Sequence, residues 1–307
     1  MRVLFLGTGG SLPTPQRSMP AIAVRRENEL LLLDCGEGAQ AQMSRCGLSP
    51  LRVSAIFLTH LHGDHFLGLA GLVQTMALMG RTSPLQVYCP AEDEDKVWEY
   101  LRLPRYTLTF DVSVEGLRAD RELRRGGYSI RTCEVIHPVP AVAYSLVENE
   151  RRGRFYPERA MSLGVMPGPD FSRLQRGETI KVGGRSVSPS EVMGPPRPGR
   201  KIVYTGDTRP SEKIAEFARN ADLLVHDSTF SADMRDKAEE SSHSTTEEAA
   251  EIARRAGVRL LALFHISPRY PDASVLLEEA RRIFPETILP EDLSSIDIPL
   301  RENEGLS

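Results

Sequence analysis

Short apolar runs alternate with amphipathic segments along most of this chain, and this pattern predicts alternating strands and helices. Strands are predicted at Val3–Leu6, Ala21–Val24, Glu29–Leu33, Val53–Leu58, Leu85–Cys89, Thr107–Val114, Tyr128–Val135, Lys201–Thr205, Leu223–Val225 and Leu260–Phe264. Helices are predicted at Ala39–Cys46, Phe66–Met79, Asp93–Leu101, Pro210–Asn220, Thr245–Ala256 and Ser274–Phe284. Such an alternation is typical of a layered α/β protein.

The apolar run Val53–Leu58 ends in a loop that is dense in metal-binding side chains, namely His60, His62, Asp64 and His65. Residues two apart in an extended segment point to the same side, so His60 and His62 can bind one metal ion together. Asp64 and His65 lie at the turn into the next helix and would face a second ion. A solvated polar loop is the alternative, but four such side chains within six positions are far more than chance would place there in a chain with seven histidines. We therefore expect a dinuclear metal site.

Other predicted strands also end in histidine or carboxylate side chains. These are His137, Asp207, His226 with Asp227, and His265. Sorting the imidazoles and carboxylates gives His60, His62 and His137 for one ion, Asp64, His65 and His265 for the other, and Asp207 as a bridge. Nitrogen and oxygen ligands without thiolate favour Zn²⁺ first and Mn²⁺ second. Two such ions activate water and polarise a phosphoryl or carbonyl oxygen, so the pattern predicts a hydrolase.

Three further polar residues leave alternatives open. Asp34 follows a buried strand, where an ionised carboxylate needs a partner. It is either a hydrogen-bond acceptor for a metal-binding histidine or a plain turn residue. His226 and Asp227 either orient a ligand histidine or pack in a turn, and Asp227 is favoured for the orienting role.

Residues 148–200 differ from the rest of the chain because they are rich in Gly, Pro and Arg and show little helical or strand periodicity. Some fifty residues are too many for an ordinary connection. The segment is therefore either a functional excursion or a poorly ordered surface insert. Arg151, Arg152 and Arg154, interleaved with Phe155 and Tyr156, would suit a nucleic-acid contact, and a solvated basic loop is the alternative.

Composition narrows the class of protein. The chain has 307 residues, of which 40% are hydrophobic and 26% charged, so it can bury a full core. Its net charge of -4 argues against indiscriminate coating of nucleic acid but allows a local basic patch. We expect no membrane span and no signal peptide, because no apolar run is long enough. Four cysteines without CxxC spacing favour a reducing, cytoplasmic setting.

Several motifs together resemble one family. THLHGDH resembles the HxHxDH signature of the metallo-β-lactamase superfamily. The segments LGTGGSLPTPQR, LLLDCGEGAQAQM, YTGDT, SHST and HISPRY narrow this resemblance to the ribonuclease Z family, the tRNA 3′-processing endonucleases, in their short, dimeric form. The matching segments run from Leu6 to about Tyr270, so they cover most of the chain.

The resemblance implies a four-layer αββα metallo-β-lactamase sandwich with a protruding flexible arm. On this basis residues 1–307 form a single domain, and about 148–200 contain the inserted arm that binds tRNA. The family pattern assigns two Zn²⁺ per subunit to the same seven ligands that were sorted above. It also implies that His243 of SHST protonates the leaving group, while Asp64 assists the attacking water in addition to binding metal.

Substrate contacts are implied at positions that match the family. They are Arg17, Ser18, Arg151, Arg152, Arg154, Gly168, Pro169 and Arg269. From the residues alone, the loop with Arg17 and Ser18 is equally well a plain surface loop. The arm of this chain is short, based on arginine, and also acidic at Glu148, Glu150 and Glu158, whereas family arms are often rich in lysine.

The expected function is zinc-dependent hydrolysis of precursor tRNA just 3′ of the discriminator nucleotide by a cytoplasmic homodimer. The products would be a tRNA 3′-hydroxyl and a trailer with a 5′-phosphate. An alternative is a small-molecule metallohydrolase, such as a phosphodiesterase, a glyoxalase-type thioesterase or a lactonase, because the ligands alone do not separate these. An RNA-binding module with a structural metal is disfavoured, because structural zinc sites usually have four ligands and are closed.

Overall fold

The structure is a computed structural model that describes residues 1–301. The chain divides into two compact units. The first unit comprises Met1–Val147 and Arg200–Pro299, and the second comprises Glu148–Gly199 together with Leu300 and Arg301. Within residues 1–301, no helix is long and apolar enough to cross a membrane.

Two mixed seven-stranded sheets form the centre of the first unit, as far as the chain is described. In the first sheet the strand order is β16-β1-β2-β3-β4-β5-β6, with β1 (Arg2–Gly7), β2 (Ala21–Arg26), β3 (Glu29–Leu33), β4 (Val53–Phe57), β5 (Leu85–Pro90), β6 (Val112–Leu117) and β16 (Ser295–Asp297). In the second sheet the order is β15-β14-β13-β12-β9-β8-β7, with β7 (Glu122–Arg125), β8 (Tyr128–Glu134), β9 (Val142–Glu148), β12 (Lys201–Tyr204), β13 (Leu223–Asp227), β14 (Leu261–Phe264) and β15 (Thr287–Ile288).

Helices cover the outer faces of both sheets. They are α1 (Ala39–Arg45), α2 (Gly63–Phe66), α3 (Leu69–Leu78), α4 (Glu94–Arg102), α8 (Glu212–Phe217), α9 (Arg235–Glu240), α10 (Thr246–Ala256) and α11 (Ser274–Ile283). Short 3₁₀ helices lie at Pro50–Arg52, Ala91–Asp93 and Ala232–Met234.

Alternation along the buried strands explains the layers. In β3, Leu30 and Leu32 belong to the core shared with α1 and α3, whereas Leu31 and Leu33 belong to the core between the sheets. This follows because successive strand residues point to opposite faces. A third core lies between the second sheet and α8, α10 and α11. The predicted αββα arrangement is therefore confirmed.

The second unit has short elements and a core of its own. The elements are α5 (Pro157–Ser162), α6 (Pro169–Gln175), α7 (Pro189–Val192) and the hairpin of β10 (Ile180–Val182) with β11 (Arg185–Val187). The core consists of Ala160, Val165, Leu174, Ile180, Val187 and Val192. No helix or strand was predicted here, because elements of three to seven residues are too short to show a clear period.

Most predicted elements of the first unit match the structure, but several differ. The short elements β7, α9, β15 and β16 were not predicted. The predicted helix Phe66–Met79 is broken at Leu67–Gly68, between α2 and α3. The strand predicted from Thr107 begins only at Val112. Sequence analysis missed β9, a strand whose residues are almost all buried on both faces, so that no alternation marks it.

Candidate metal centre

Loops that follow four strands carry the predicted ligands. His60 follows β4, His137 follows β8, Asp207 follows β12, and His265 follows β14 directly. In the second sheet β12, β13 and β14 run parallel, so their carboxyl ends open on the same side. Functional groups of α/β proteins commonly gather at these ends. All seven predicted ligands meet here.

The first group of side chains consists of His60, His62, His137 and Asp207, whose ligand atoms all lie within 4.8 Å of one another. His137 Nε2 is 3.1 Å from His62 Nδ1, and His60 Nε2 is 3.6 Å from Asp207 Oδ2. Three imidazoles and one carboxylate at this separation can surround a single ion.

The second group consists of Asp64, His65 and His265, again with ligand atoms within 4.8 Å. His265 Nε2 lies 3.2 Å from Asp64 Oδ2 and 3.3 Å from Asp207 Oδ2. Asp207 Oδ1 lies 3.2 Å from His65 Nε2. Asp207 therefore reaches both groups, which is the place predicted for it. The role of these seven residues as metal ligands stays a prediction.

Three unsatisfied atoms support a cation at this centre. Among the described residues, the buried atoms His60 Nε2, His65 Nε2 and Asp207 Oδ1 have no hydrogen-bond partner, since the 3.2 Å contact between the last two is an ion pair without hydrogen-bond geometry. Buried polar atoms are rarely left so, because the loss of water is costly. The cavity beside them has a volume of about 580 Å³, and its described lining includes Glu37, Asp64 and Asp207 but no Lys or Arg. Carboxylates and imidazoles around these unsatisfied atoms are a donor set that fits a metal ion.

Protonation states in the first group suit metal binding. Burial, reinforced by the positive charge on His65, holds the pKa of His60 well below its usual value, and burial also lowers the pKa of His62 and His137. Neutral imidazole is the form that binds metal. Burial opposes ionisation of Asp207, but the neighbouring His265 and His65 outweigh it and hold the pKa of Asp207 well below its usual value.

His65 differs from the three histidines of the first group. Burial lowers its pKa, but the carboxylates of Asp207 and Asp34 outweigh burial and raise the pKa of His65 well above its usual value. Binding of a cation to His65 Nε2 would therefore release a proton.

Outer groups hold the Nδ1 atoms of four histidines. Asp34 Oδ2 lies 2.7 Å from Nδ1 of His65, Thr59 Oγ1 lies 3.0 Å from that of His60, Thr229 Oγ1 lies 2.8 Å from that of His265, and the Ser242 carbonyl lies 3.3 Å from that of His137. Such contacts fix the orientation of each imidazole ring, so that its Nε2 faces the centre. Asp34 has the predicted orienting contact, whereas Thr229 and Ser242 were missed because no sequence signal marks them.

The glycine-rich turn after β1 closes one side of the centre. A Cβ at Gly10 would lie only 2.3 Å from Cε1 of His265, so glycine is required for this close approach. The next residue, Ser11, has a φ of 65° and donates its backbone N–H to Asp64 Oδ2 at 2.8 Å. The turn thus places backbone against both a histidine and a carboxylate of the second group.

His243 lies at the mouth of the same cavity, and its ring stacks on His265 with centroids 5.0 Å apart. Asp227 Oδ2 accepts a hydrogen bond from His243 Nδ1 at 2.8 Å, and Asp227 also accepts from the Thr208 and Thr229 backbone N–H groups. Burial lowers the pKa of His243, but the charge of Asp227 and its hydrogen bond outweigh burial and raise that pKa to about 9. Asp227 therefore contacts His243 directly, and it reaches the predicted ligand His265 only through the Thr229 hydroxyl.

His226 points away from this centre. It is fully buried, its Nδ1 donates to the Asp227 carbonyl at 2.7 Å, and burial lowers its pKa. It belongs to none of the groups of potential ligands in residues 1–301. Packing in the turn is the role that these contacts support.

The predicted substrate contacts of the first unit lie in different surroundings. Arg17 is partly buried, and its Nη1 donates to Thr8 Oγ1 at 2.5 Å and to the Pro290 carbonyl at 2.9 Å. The Ser18 backbone N–H donates to Asp292 at 2.6 Å. Arg269 is exposed and lies over the Phe230 ring at 5.4 Å. Their contact with substrate stays a prediction, and Arg17 Nη1 already has protein partners.

The predicted contacts of the second unit gather around its arginines. A cavity of about 550 Å³ is lined by side chains that include Arg151, Arg152, Arg154 and Phe155. Arg152 and Arg154 are exposed, whereas Arg151 is partly buried and donates to the Arg301 carbonyl at 2.6 Å. Gly168 precedes α6 with a φ of 154°, and Pro169 is the first residue of that helix.

Comparison with known proteins was made with both sequence and structure. A model described as the anti-Pycsar protein Apyc1 matches residues 1–148, and a beta-lactamase superfamily domain model matches residues 184–266. A solved structure described as human tRNase Z, short form, has a TM-score of 0.71 and 28% identity and covers 98% of this chain and 100% of its own. The metallo-beta-lactamase fold protein YhfI from Bacillus subtilis has a TM-score of 0.70 at 20% identity and covers 96% of this chain and 98% of its own, which supports the fold alone.

Curated relatives are similar over their full length. The ribonuclease Z of Methanosarcina acetivorans is 47% identical over 98% of this chain and 99% of the relative. The ribonuclease Z of Myxococcus xanthus is 42% identical over 98% of this chain and 99% of the relative. The chain therefore belongs to the ribonuclease Z family of endoribonucleases, which have the metallo-β-lactamase fold.

Proposed function

We propose that this chain removes the 3′ trailer of precursor tRNA by metal-dependent hydrolysis of the phosphodiester that follows the discriminator nucleotide. Family membership supports the substrate class. The observation that carries the chemistry is the pairing of His243 with Asp227 beside two ligand groups that share Asp207. This arrangement places a proton donor next to a site that can hold two cations.

Two Zn²⁺ per subunit are the proposed cofactor, with Mn²⁺ as the substitute, because the ligands are imidazoles and carboxylates without thiolate. When bound, such ions supply an activated water near neutral pH and positive charge at the phosphoryl oxygens. His60, His62 and His137 would hold one ion, Asp64, His65 and His265 would hold the other, and Asp207 would contact both.

The side chains of this chain complete the proton transfers. Asp64 lines the cavity, and its Oδ2 is fixed by the Ser11 backbone N–H, so this carboxylate can orient the attacking water and accept its proton. The water oxygen forms a bond to phosphorus while the bond from phosphorus to the ribose 3′-oxygen breaks. His243 gives that oxygen a proton, so the products are a tRNA 3′-hydroxyl and a trailer 5′-phosphate.

Asp227 makes His243 suitable for this step. Its carboxylate holds His243 Nδ1 at 2.8 Å, so Nε2 is the nitrogen left to donate towards substrate. The same carboxylate is itself held by two backbone N–H groups and the Thr229 hydroxyl. The ring is therefore oriented before substrate arrives, which lowers the cost of reaching the transition state.

The second unit supplies the proposed tRNA contact. Exposed arginines beside Phe155 can bind phosphates and stack against bases, which is the combination that suits single strands and loops of RNA. Arg152 and Arg154 are both exposed. This unit would bind the body of the substrate, and the metal centre would cut it.

A homodimer is part of the proposal. Leu78 and Met79 at the end of α3 are 81% and 48% exposed, and apolar side chains so exposed on a helix end suit a protein interface. Light scattering of the purified chain at several concentrations tests this part of the proposal. A constant monomer mass would contradict it.

The central experiment incubates the protein with a trailer-bearing precursor tRNA, with and without chelator, and maps both new ends. We expect a cut after the discriminator nucleotide that chelator abolishes. The H243A variant should turn over about 100-fold more slowly or less, the usual scale for loss of a general acid, with unchanged metal content. Cleavage of small esters without cleavage of tRNA would favour a small-molecule metallohydrolase instead.

A further inference from the structure

Arg209 joins the loop of His137 to a distant part of the chain, namely the loop of His243 and the start of α10. Its Nη1 donates to the His243 carbonyl at 2.6 Å and to Glu248 at 2.8 Å, and its Nη2 donates to Glu248 at 2.7 Å. Its backbone N–H donates to the Ile136 carbonyl at 3.0 Å, one residue before His137. One residue therefore connects the loop of His243, the loop of His137 and the start of α10.

Glu248 is itself fixed by the cap of α10. Its carboxylate accepts the Thr245 backbone N–H at 2.9 Å, while the Thr245 hydroxyl accepts the Glu248 backbone N–H at 3.3 Å. The side chains of Arg209 and Glu248 are only 15% and 10% exposed, so solvent screens this ion pair with its two parallel hydrogen bonds only weakly. Glu239 is a further carboxylate near Arg209, at 3.6 Å, but it is 60% exposed.

We propose that Arg209 and Glu248 are a positioning pair that fixes the backbone of His243, and hence its imidazole, relative to the His137 loop. The inference rests on the proposed role of His243 as proton donor. Neither side chain is among the residues that line the cavity beside the metal centre. The pair acts on the reaction only through the place in which it holds the His243 loop.

The reason is geometric. Asp227 fixes one nitrogen of the ring, but the ring also moves with its backbone, and Arg209 holds the carbonyl of that same residue. The neighbouring Ser244 hydroxyl donates to the Thr208 carbonyl at 2.6 Å, so Thr208 and Arg209 each form a hydrogen bond with the His243 loop. Loss of the guanidinium leaves the His243 carbonyl without this donor and lets the loop shift. Displacement of a reacting group by about 1 Å can cost about 100-fold in rate.

The choice of leaving group separates positioning from general damage. A ribose 3′-oxygen needs a proton as it departs, whereas 4-nitrophenolate departs without one. Loss of His243 positioning should therefore slow the cleavage of RNA much more than the hydrolysis of bis(4-nitrophenyl) phosphate. Damage to the ligands or to the fold would slow both reactions together.

The experiment compares R209M, E248Q and the double variant with the control R254M. Arg254 is an exposed arginine of α10, the helix that also contains Glu248, and the substitution removes its contact with Glu251. For R209M and E248Q we expect kcat on precursor tRNA to fall about 10- to 100-fold, with KM changed less than about threefold. The double variant should be no slower than the slower single variant, because the two residues act as one unit. R254M should match the wild type.

Metal content and melting temperature are measured on every variant, together with hydrolysis of the nitrophenyl diester. We expect unchanged metal content, a diester rate within about threefold of the wild type, and partial recovery of RNA cleavage in R209K, which keeps the charge. Equal losses on both substrates, lost metal, or wild-type cleavage by R209M would overturn the positioning role. Wild-type protein that leaves precursor tRNA uncut would instead contradict the proposed function itself.

Discussion

Asp34 Oδ2 lies 2.7 Å from Nδ1 of His65, and the same oxygen accepts the Tyr204 hydroxyl at 2.7 Å. Asp34 follows β3 with a φ of 58°, so a residue in the left-handed region carries this carboxylate into the buried centre. The Thr59 backbone N–H donates to its other oxygen, Oδ1, and the Thr59 hydroxyl donates to the carboxylate at 2.8 Å from Oδ2 and 3.1 Å from Oδ1. The contact therefore ties the second ligand group to strands of both sheets.

The first prediction follows from this contact. Replacement of Asp34 by Asn keeps the shape but removes the negative charge that holds the His65 ring. We expect metal affinity to fall about 10- to 100-fold, the usual scale for loss of a group that orients a ligand. Competition with a coloured chelator measures the affinity.

Y204F is the matched control, because it removes one donor to Asp34 and leaves the carboxylate on His65. It should change metal affinity much less than D34N does. Equal affinities of D34N and the wild type would show that Asp34 only stabilises the turn.

Much of this centre could be predicted from sequence because ligand chemistry needs particular side chains at strand ends. His60, His62 and Asp64 stand in one short loop, and local spacing is enough to identify them. That Asp207 reaches both groups depends on how two sheets pack, yet its place after an apolar strand already indicated a functional carboxylate.

The outer contacts could not be predicted in the same way. Thr229 contacts His265, and Arg209 contacts the His243 loop. The partners in each contact are far apart in sequence, so no local sequence pattern marks these contacts. The partner of Asp227 was also ambiguous, because a carboxylate at a strand end can reach any of several histidines. The small second unit was missed as regular structure because its helices and hairpin are too short to give a period.

The second prediction concerns removal of metal. The metal-free centre has three buried atoms without hydrogen-bond partners and several closely spaced imidazoles. The metal-free protein should therefore be less stable than the metal-bound protein. At a free metal concentration about 100 times Kd, binding stabilises the folded state by about 2.7 kcal/mol. We expect prolonged dialysis against chelator to lower the melting temperature and abolish RNA cleavage, and Zn²⁺ or Mn²⁺ to restore both. A melting curve that does not respond to metal would contradict the proposed site.

The third prediction concerns the arginines of the second unit. Arg152 and Arg154 are exposed beside an aromatic-lined cavity, so R152Q/R154Q should weaken binding of precursor tRNA without changing kcat. The slope of log affinity against log salt should fall by about 1 for each phosphate contact that is lost. R185Q is the control in the same unit, since Arg185 is paired with Glu191 at 2.9 Å. An unchanged KM and salt slope in R152Q/R154Q would show that these two arginines do not contact the substrate.

The fourth prediction uses the close approach of the glycine-rich turn to His265. In G10A the added Cβ would meet the His265 ring at 2.3 Å, a separation that real atoms do not adopt, so the ring or the turn must move. Movement of the ring would weaken the second ligand group, and movement of the turn would free Asp64 from the Ser11 N–H. We expect G10A to bind one metal ion less per subunit and to lose RNA cleavage, as measured by elemental analysis and single-turnover kinetics.

G126A is the matched control for this substitution, because a Cβ there meets no atom within 4 Å. It should keep both the metal content and the rate of the wild type. If G10A also keeps its full metal content and rate, the turn does not constrain His265, and the second ligand group tolerates a shifted ring. If G10A keeps its metal but loses activity, the turn acts on Asp64 or on the substrate and not on metal binding. That result would separate the two effects that the added methyl group can have on the reaction.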